Sequence, residues 1–241
     1  MRLERTQGFY EKYIKRLLDI ICSVLFLIAF SWLYLILAIM VKAKMGSPVI
    51  FRQPRPGLVK NGRETIFDMF KFRSMNDDRD ENGELLPDHH RLSGFGAKLR
   101  STSLDELPEV LSILKGDMSV VGPRPQLVRD MVFMTEKQRM RHTAKPGLTG
   151  LAQVKGRNAI SWEEKLNWDL KYIEKVSFLG DAKILFETVA AVLKRDGITD
   201  GENATALDYG DALLKEGKIS KEQYDAKQDY ARQILREHGK K

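Results

Sequence analysis

A single cysteine, Cys22, in 241 residues leaves no partner for an intrachain disulfide and no thiol cluster for a structural metal. A reducing cytoplasmic setting is compatible with that count. Histidine is scarce too, and the adjacent pair His89-His90 lacks the one-face spacing of a helical metal site, so it is assigned to solvent. Asp77, Asp78 and Asp80 are without the glycine and terminal glutamate of a calcium loop at the required offsets. No zinc-finger spacing, RNA-recognition aromatic motif, recognition helix or internal repeat is present, so nucleic acid falls behind as a partner. Base nevertheless exceeds acid: 40 Lys and Arg stand against 33 Asp and Glu, a net charge of +7 with pI near 9.3. Anionic lipid and phosphorylated substrates both fit that excess.

Charge disappears altogether from Ile20 to Val41. These 22 residues are long enough to cross a hydrocarbon core of about 30 Å as a helix. The run is too long for a signal peptide and has no small-residue cleavage site. Length alone predicts a single span, but the flanks predict something else. Arg2, Arg5, Lys12, Lys15 and Arg16 precede the run, and Lys42, Lys44, Arg52 and Arg55 follow it. Basic residues mark the cytoplasmic side, so a helix that enters, bends and returns satisfies both ends. Ser31 would bend it by bonding back to the carbonyl four residues earlier. Residues 1–19 read as a basic amphipathic lead-in helix with Phe9, Tyr13, Ile14, Leu17 and Leu18 for the membrane surface. Asp19 is expected to pair with Arg16.

The stretch from Arg100 to Pro125, RSTSLDELPEVLSILKGDMSVVGPRP, concentrates the chemistry. Ser103 followed by Glu106 three residues later reads as a capping box. Asp105 and Glu106 then fall in the first helical turn, where the backbone dipole favours negative charge. Leu107, Val110, Leu111 and Leu114 recur at helical spacing as one apolar face, and Gly116 stops the helix. A capped, solvated helix start accounts for the two carboxylates on pattern alone. Their company favours more: Arg100 before them and Gly122-Pro-Arg-Pro125 after. Neighbours on a helix point about 100° apart, so the two acids would divide the work. One is suited to attack at phosphorus or to hold a metal, the other to orient or to handle protons.

TSLDELPEV and GPRP, preceded by Lys71-Phe-Arg-Ser-Met75 and followed by Lys145-Pro-Gly-Leu-Thr-Gly-Leu-Ala-Gln-Val-Lys-Gly-Arg-Asn158, make four motifs in order. From about Tyr13 to Arg195 the chain resembles the small monotopic bacterial phosphoglycosyl transferases, the bacterial sugar transferases. That resemblance implies transfer of a sugar 1-phosphate from a UDP-sugar to polyprenyl (undecaprenyl) phosphate, with release of UMP. It implies Asp105 as the nucleophile that carries the phosphosugar, Glu106 as its dyad partner, and Mg2+ with Asp105 as the expected ligand. Arginine forks bind phosphate oxygens in pairs, so Lys71, Arg73, Arg100 and Arg124 are the expected phosphate-site residues, with Gln153 and Arg157 as further substrate-binding candidates. Asp169 and Asp181 match acidic positions of the family, although Asp181 at a helix start also suits a cap. The family enters the membrane by a re-entrant helical hairpin broken at a Ser-Pro pair; here Ser31-Trp32 stands in that place, without the proline that forces a kink. The implied location is the cytoplasmic face of the bacterial inner membrane, in a first membrane step of glycoconjugate or exopolysaccharide assembly.

The expected fold is a membrane-associated α/β (α+β) protein with a small sheet and surface helices. Residues 1–46 are the lead-in and membrane helix, 47–197 the catalytic domain and 198–241 a helical appendage. Pro48–Gln53 and Thr65–Phe72 read as two strands of a hairpin with turn signals at Gly57 and Asn61-Gly62. Residues 76–96 read as a mobile polar loop. Residues 126–141 read as a helix ending in the basic cluster Lys137, Arg139, Arg141 and His142, a solvated or lipid-facing charged face. Glycines 147, 150 and 156 suit turns or close backbone approach to a ligand. Residues 161–176 and 181–195 read as helices whose stripes, Trp162, Leu166, Leu170, Ile173 and Ile184, Leu185, Val189, Val192, are core. Residues 203–238 read as two helices joined by 216–220, a solvated hairpin or a contact for a subunit or the membrane, and a homo-oligomer stays open. A rival reading is a bitopic scaffold whose basic cytoplasmic domain binds lipid headgroups or a partner; it leaves the four motifs without a role. A membrane-tethered nucleic-acid module leaves Asp105-Glu106 facing a polyanion.

Overall fold

From Gly8 to Gly46 the chain has neither glycine nor proline between, and it forms one helix. A π-helical turn, Tyr10–Ile14, runs into α1, Lys15–Met45, which ends at Gly46 with φ 75°. The computed structural model describes residues 5–81, 83, 86–156, 160–193 and 207–239. Buried positions on α1 recur at helical spacing: Lys15, Asp19 and Ser23 in its first half, Leu37 and Val41 in its second. The polar half is bonded to the domain. Asp19 accepts from Ser119 Oγ at 3.0 Å and from the Val120 amide at 2.9 Å. Arg16 donates to the carbonyls of Ile113 and Leu114, at the C-terminal end of a helix where cations are favoured. The apolar half packs against Phe72 and Leu99, and Tyr34 donates to the Leu107 carbonyl at 2.6 Å.

Two sequence expectations fail on this helix. Asp19 does not pair with Arg16, because each finds backbone partners in the domain. Ser31 bonds the carbonyl of Ile28, three residues back rather than four, and α1 runs unbroken through Trp32. The remaining surface of α1 is apolar and uncovered, with Ile28 68 % exposed and Leu25, Trp32, Leu35 and Ile39 similarly bare. A patch of that size is foreign to a water-facing monomer and calls for lipid.

The hairpin expected after the helix is present and longer. β1, Ile50–Lys60, pairs antiparallel with β2, Arg63–Phe72, from Ile50↔Phe72 to Lys60↔Arg63. Asn61 and Gly62 both take positive φ, the requirement of a two-residue turn whose twist matches the strands. Gly57 is not a turn; it lies in the bulge between Pro56 and Val59. Of the polar stretch 76–96, residues 82, 84 and 85 lie outside the described residues, and its later part holds α2, Asp88–Arg91, and the start of α3, Gly94–Ser101. A tight 3-10 turn, Leu104–Glu106, precedes α4, Glu109–Lys115. Gly116, φ 97°, ends α4 as expected. Leu111 is exposed, and Val110 with Ile113 supplies the core face instead.

β3, Ser119–Val121, and β4, Gly147–Thr149, form a parallel pair. A Cβ on Gly147 would come within 2.0 Å of the Gly122 amide, so these glycines serve chain-to-chain approach. The single helix expected over 126–141 is three short pieces: α5, Val128–Met131; α6, Glu136–Arg139; and a 3-10 turn, Met140–Thr143. Its basic end is only partly solvated: Lys137 is exposed as expected and Arg139 half-buried, but Arg141 is 1 % exposed and His142 is buried, bonded to Glu64. Beyond β4 come α7, Leu151–Gly156; α8, Trp162–Glu174; and α9, Phe178–Leu193. Leu166 and Ile173 of α8 are core. On α9 only Ile184 is; Leu185, Val189 and Val192 face outward, against expectation.

Residues 203–206 lie outside the described part, and α10, Tyr209–Lys215, and α11, Lys221–His238, form the expected helical pair. The pair folds back on the domain. Phe133 stacks on Tyr224, Trp162 meets Tyr209, and both sit in a cluster with Val128, Met131 and Leu166. Asp130 accepts from the Tyr209 amide at 2.9 Å.

Both halves of α1 touch one body, and labelling tests the expectation that the chain before and after α1 lies on one side of a bilayer. In a Cys22→Ser background, Gly8→Cys and Lys60→Cys are expected to react with an impermeant maleimide from the cytoplasmic side only. Labelling of the two from opposite sides would make α1 a span.

Candidate active site

The carboxylates of TSLDELP are not presented by a capped helix. Ser103 takes left-handed backbone, φ 56° and ψ 18°, with no side-chain capping bond, so the capping box is absent. Glu106 does not return to the Ser103 amide because two cations hold it. The chain instead makes the 3-10 turn and restarts at Pro108, whose missing N–H costs nothing at a helix start. That geometry aims Asp105 and Glu106 in different directions, as the sequence suggests for a different reason.

Glu106 Oε1 accepts from Lys71 Nζ at 2.9 Å and from Arg124 at 2.5 Å. Burial alone would raise its pKa, but Arg124 and Lys71 outweigh that and hold the carboxyl far below the usual carboxylate range. Arg124 is raised in turn, chiefly by Glu106. Lys71 also lies 3.2 Å from Glu109, a buried acid whose pKa burial pushes up. Three chain segments are thereby joined: the end of β2, the LDE turn and the GPRP loop.

Asp105 differs. It is 6 % exposed, and among the described residues no cation bonds its carboxylate. Burial raises its pKa; Lys71 opposes that, Glu106 adds to it, and Arg100 opposes it. The result is one acid locked in ion pairs beside another that bonds no cation among the described residues. Arg100 itself is held by Ser74 Oγ at 3.0 Å and lies against Met75 Sδ at 2.7 Å.

Arg124 is presented by a loop fixed at successive carbonyls. The Gly147 amide donates to Pro123 O at 3.0 Å, Arg141 to Arg124 O at 2.5 Å, and Arg55 to Pro125 O at 3.0 Å. Arg141 is anchored by Asp169, at 2.9 and 2.6 Å, in a pair closed to solvent. Burial and the charge of Arg124 push Arg55 down to about 10, so it stays cationic at neutral pH.

The expected residues thus divide. Asp105, Glu106, Lys71 and Arg124 are together, with Arg100 beside Asp105. Arg73 is tied elsewhere, to Met75 O, Ser47 O at 2.9 Å and Asp77 at 2.7 Å. Gln153, on α7, donates to Leu148 O at 3.0 Å and steadies β4. Arg157 lies outside the described residues. Asp181 is no cap: it accepts from Tyr10 at 2.8 Å, from Tyr172 at 2.9 Å and from Lys15, fastening α1 to α9. Glu109, Arg55 and Arg141 escape sequence reasoning. Only Glu109, one helical turn beyond Asp105, carried a signal.

No cluster of three or more His, Cys, Asp or Glu ligands occurs among the described residues. Asp105 is nonetheless a hard oxygen donor with no competing cation bonded to it. That suits magnesium, which is commonly held by one or two carboxylates and completed by substrate phosphates and water.

The chain matches the family model described as bacterial sugar transferase over residues 10–195. It is 48 % identical over 193 residues to an uncharacterized sugar transferase, EpsL, of Bacillus subtilis, covering 80 % of this chain and 94 % of that one. It is 36 % identical over 204 residues to the undecaprenyl-phosphate galactose phosphotransferase of Salmonella typhimurium, covering 78 % of this chain and 42 % of the relative. It is 41 % identical over 185 residues to a UDP-glucose:undecaprenyl-phosphate glucose-1-phosphate transferase of Klebsiella pneumoniae, covering 73 % and 39 %. The chain therefore spans about two-fifths of the length of the latter two.

Asp169→Ala would leave the Arg141 guanidinium buried without its counter-ion, a change that typically costs about 3–5 kcal/mol. Thermal unfolding should show a large loss, whereas Glu163→Ala on the exposed side of the same helix should leave the midpoint nearly unchanged.

Proposed function

The chain belongs to the bacterial sugar transferase family, and from that membership we propose that it transfers a sugar 1-phosphate from a UDP-sugar to polyprenyl phosphate through Asp105. In the first step an Asp105 carboxylate oxygen attacks the β-phosphorus. The bond between that phosphorus and the bridging oxygen breaks, and UMP leaves with the electron pair. In the second step a phosphate oxygen of polyprenyl phosphate attacks the phosphorus of the acyl phosphate. A polyprenyl-diphospho-sugar forms and the Asp105 carboxylate returns. Splitting the transfer in two replaces one difficult displacement with two easier ones.

The observation that carries this reading is the contrast within the dyad: Glu106 is held by Lys71 and Arg124, while Asp105 is buried beside them with no cation bonded to it among the described residues. A carboxyl held far below the ordinary range is a weak base, so Glu106 is assigned orientation rather than proton handling. It fixes Lys71 and Arg124 where an incoming diphosphate meets preorganised positive charge. Arg100 adds charge on the Asp105 side. Asp105 would hold a magnesium ion together with the substrate phosphates. When bound, the ion supplies charge neutralisation between the carboxylate and the diphosphate.

The relatives named for undecaprenyl-phosphate support the acceptor class. Their sugars differ, galactose in one and glucose in the other, so neither is transferred to this chain. A membrane site suits both substrates, since one is soluble and anionic while the other has its phosphate at the bilayer surface. We place the domain on the cytoplasmic face of a bacterial inner membrane, in agreement with the basic flanks of α1.

Mass spectrometry of enzyme quenched with UDP-sugar and magnesium but no acceptor should find a phosphosugar on Asp105. Asp105→Asn should show neither the adduct nor UMP release, and full activity in that variant would remove the covalent mechanism. The pH profile gives a second check. A raised Asp105 pKa means that the reactive carboxylate forms only above the ordinary aspartate range of about 4. The acid limb of kcat/KM for the donor should therefore lie above that value. Lys71→Met should move it higher still, because Lys71 favours the ionised form; a shift to lower pH would contradict this electrostatic account.

A further inference from the structure

A two-stranded hairpin is marginally stable alone and needs a further layer. β1 and β2 have one on each side. Alternation along β2 puts Phe67, Met69 and Lys71 on one face and Ile66 and Asp68 on the other. The first face packs with Ile113 and Met118 and ends in the Lys71 contacts to Glu106 and Glu109. The second face meets the C-terminal helices. Ile66 joins a cluster with Leu213, Ile234 and Leu235, and Asp68 Oδ1 lies 3.0 Å from His238 Nε2 at the end of α11. Asp68 and Lys71 are about 10 Å apart along the strand.

The same helices hold the loop that carries Arg124. Asp130 is 2 % exposed, and its two oxygens serve two segments. Oδ2 accepts from the Leu127 amide, just beyond the GPRP loop, at 3.2 Å, and Oδ1 accepts from the Tyr209 amide at the start of α10 at 2.9 Å. Lys227 of α11 donates to Val132 O at 2.6 Å. A Cβ on Gly210 would come within 2.4 Å of the Phe133 ring, so α10 is seated against the segment after α5 without a gap. From behind, α10 and α11 thus touch both segments whose cations meet at Glu106. Neither helix lies within residues 10–195, the part that matches the family.

We propose, on the reading that Lys71 and Arg124 receive the donor diphosphate, that the C-terminal helices position those two cations, through Asp130 on the loop and through His238 on β2. Asp130 acts by way of the loop backbone and His238 by way of the strand, so both are positioning residues. Charge held in place in advance needs no rearrangement when the ligand arrives, and its spacing decides how well a diphosphate is gripped. Loosening either tie should weaken that grip while the helices stay packed.

Calorimetry of UDP binding to the full-length enzyme in detergent with magnesium tests this, because UDP brings the diphosphate without a transferable sugar. Asp130→Asn keeps the size of the side chain but leaves one carbonyl oxygen for two amides. His238→Ala removes the tie at β2, where the pair is only partly buried and the fold loses little. Each variant should raise the Kd for UDP by about three- to tenfold, the scale of one lost hydrogen bond, at unchanged stoichiometry. Binding of UMP, which lacks the β-phosphate, should weaken less. Gln233→Ala, on the exposed side of α11, should bind UDP as the unaltered chain does. An unchanged Kd in both variants overturns the positioning role. So does a fall in stoichiometry at unchanged Kd, which marks a support for folding alone. If the unaltered chain itself binds no UDP, the donor assignment falls, and the positioning role falls with it.

Discussion

Glu106 is the point at which separate parts of the chain are made to agree. Its Oε1 receives Lys71 from the end of β2 and Arg124 from the GPRP loop. Two cations on one carboxylate oxygen set a stringent geometric demand, because both must approach the same acceptor from different chain segments while offsetting the water that each gives up. The supports around them follow from that demand. Arg141, Arg55 and the Gly147 amide each hold one carbonyl of the loop, and Asp169 holds Arg141. Arg124 enters the site on a backbone with little freedom to move.

The dyad reads as two acids with separate environments. Glu106 is kept ionised and occupied, while Asp105 bonds no cation among the described residues and has its pKa raised by burial. In the proposed reaction the less hydrated carboxylate is the one that attacks, and its ionisation comes at higher pH. Glu109 lies beneath as a third acid on Lys71, so the lysine is shared between two carboxylates rather than paired to one.

The membrane helix is built into the domain and does not merely tether it. Lys15, Arg16, Asp19 and Tyr34 all reach polar atoms of the catalytic body. Those bonds make the polar half of the helix a structural face, and they leave its other sides to lipid. The family match ends at residue 195, yet α10 and α11 lie against Phe133 and Trp162 and close over a cluster that also holds Leu166. This chain thus supplements the common domain with a cover made from its own C-terminal residues.

Local chemistry was enough to read the apolar helix, the hairpin turning at Asn61-Gly62, the stop at Gly116 and the final helical pair, and the resemblance of four motifs to a family grouped Asp105 and Glu106 with Lys71, Arg100 and Arg124. Such features depend on residues near one another in the chain or on motifs that travel together. Tertiary structure alone decided the rest. Ser103 looked like a cap, but long-range cations claimed Glu106 and left the serine in left-handed backbone. Arg141 looked like surface charge, but Asp169 and the Arg124 carbonyl, both distant in sequence, drew it inside. Arg73 matched the motif, yet Asp77 and Ser47 took its donors. The stripe of α9 looked like core because periodicity shows that a face is apolar without showing what covers it. The physical reason is common to all four: sequence spacing sets which groups share a face, whereas a charge or an apolar face takes whichever partner the fold brings within reach.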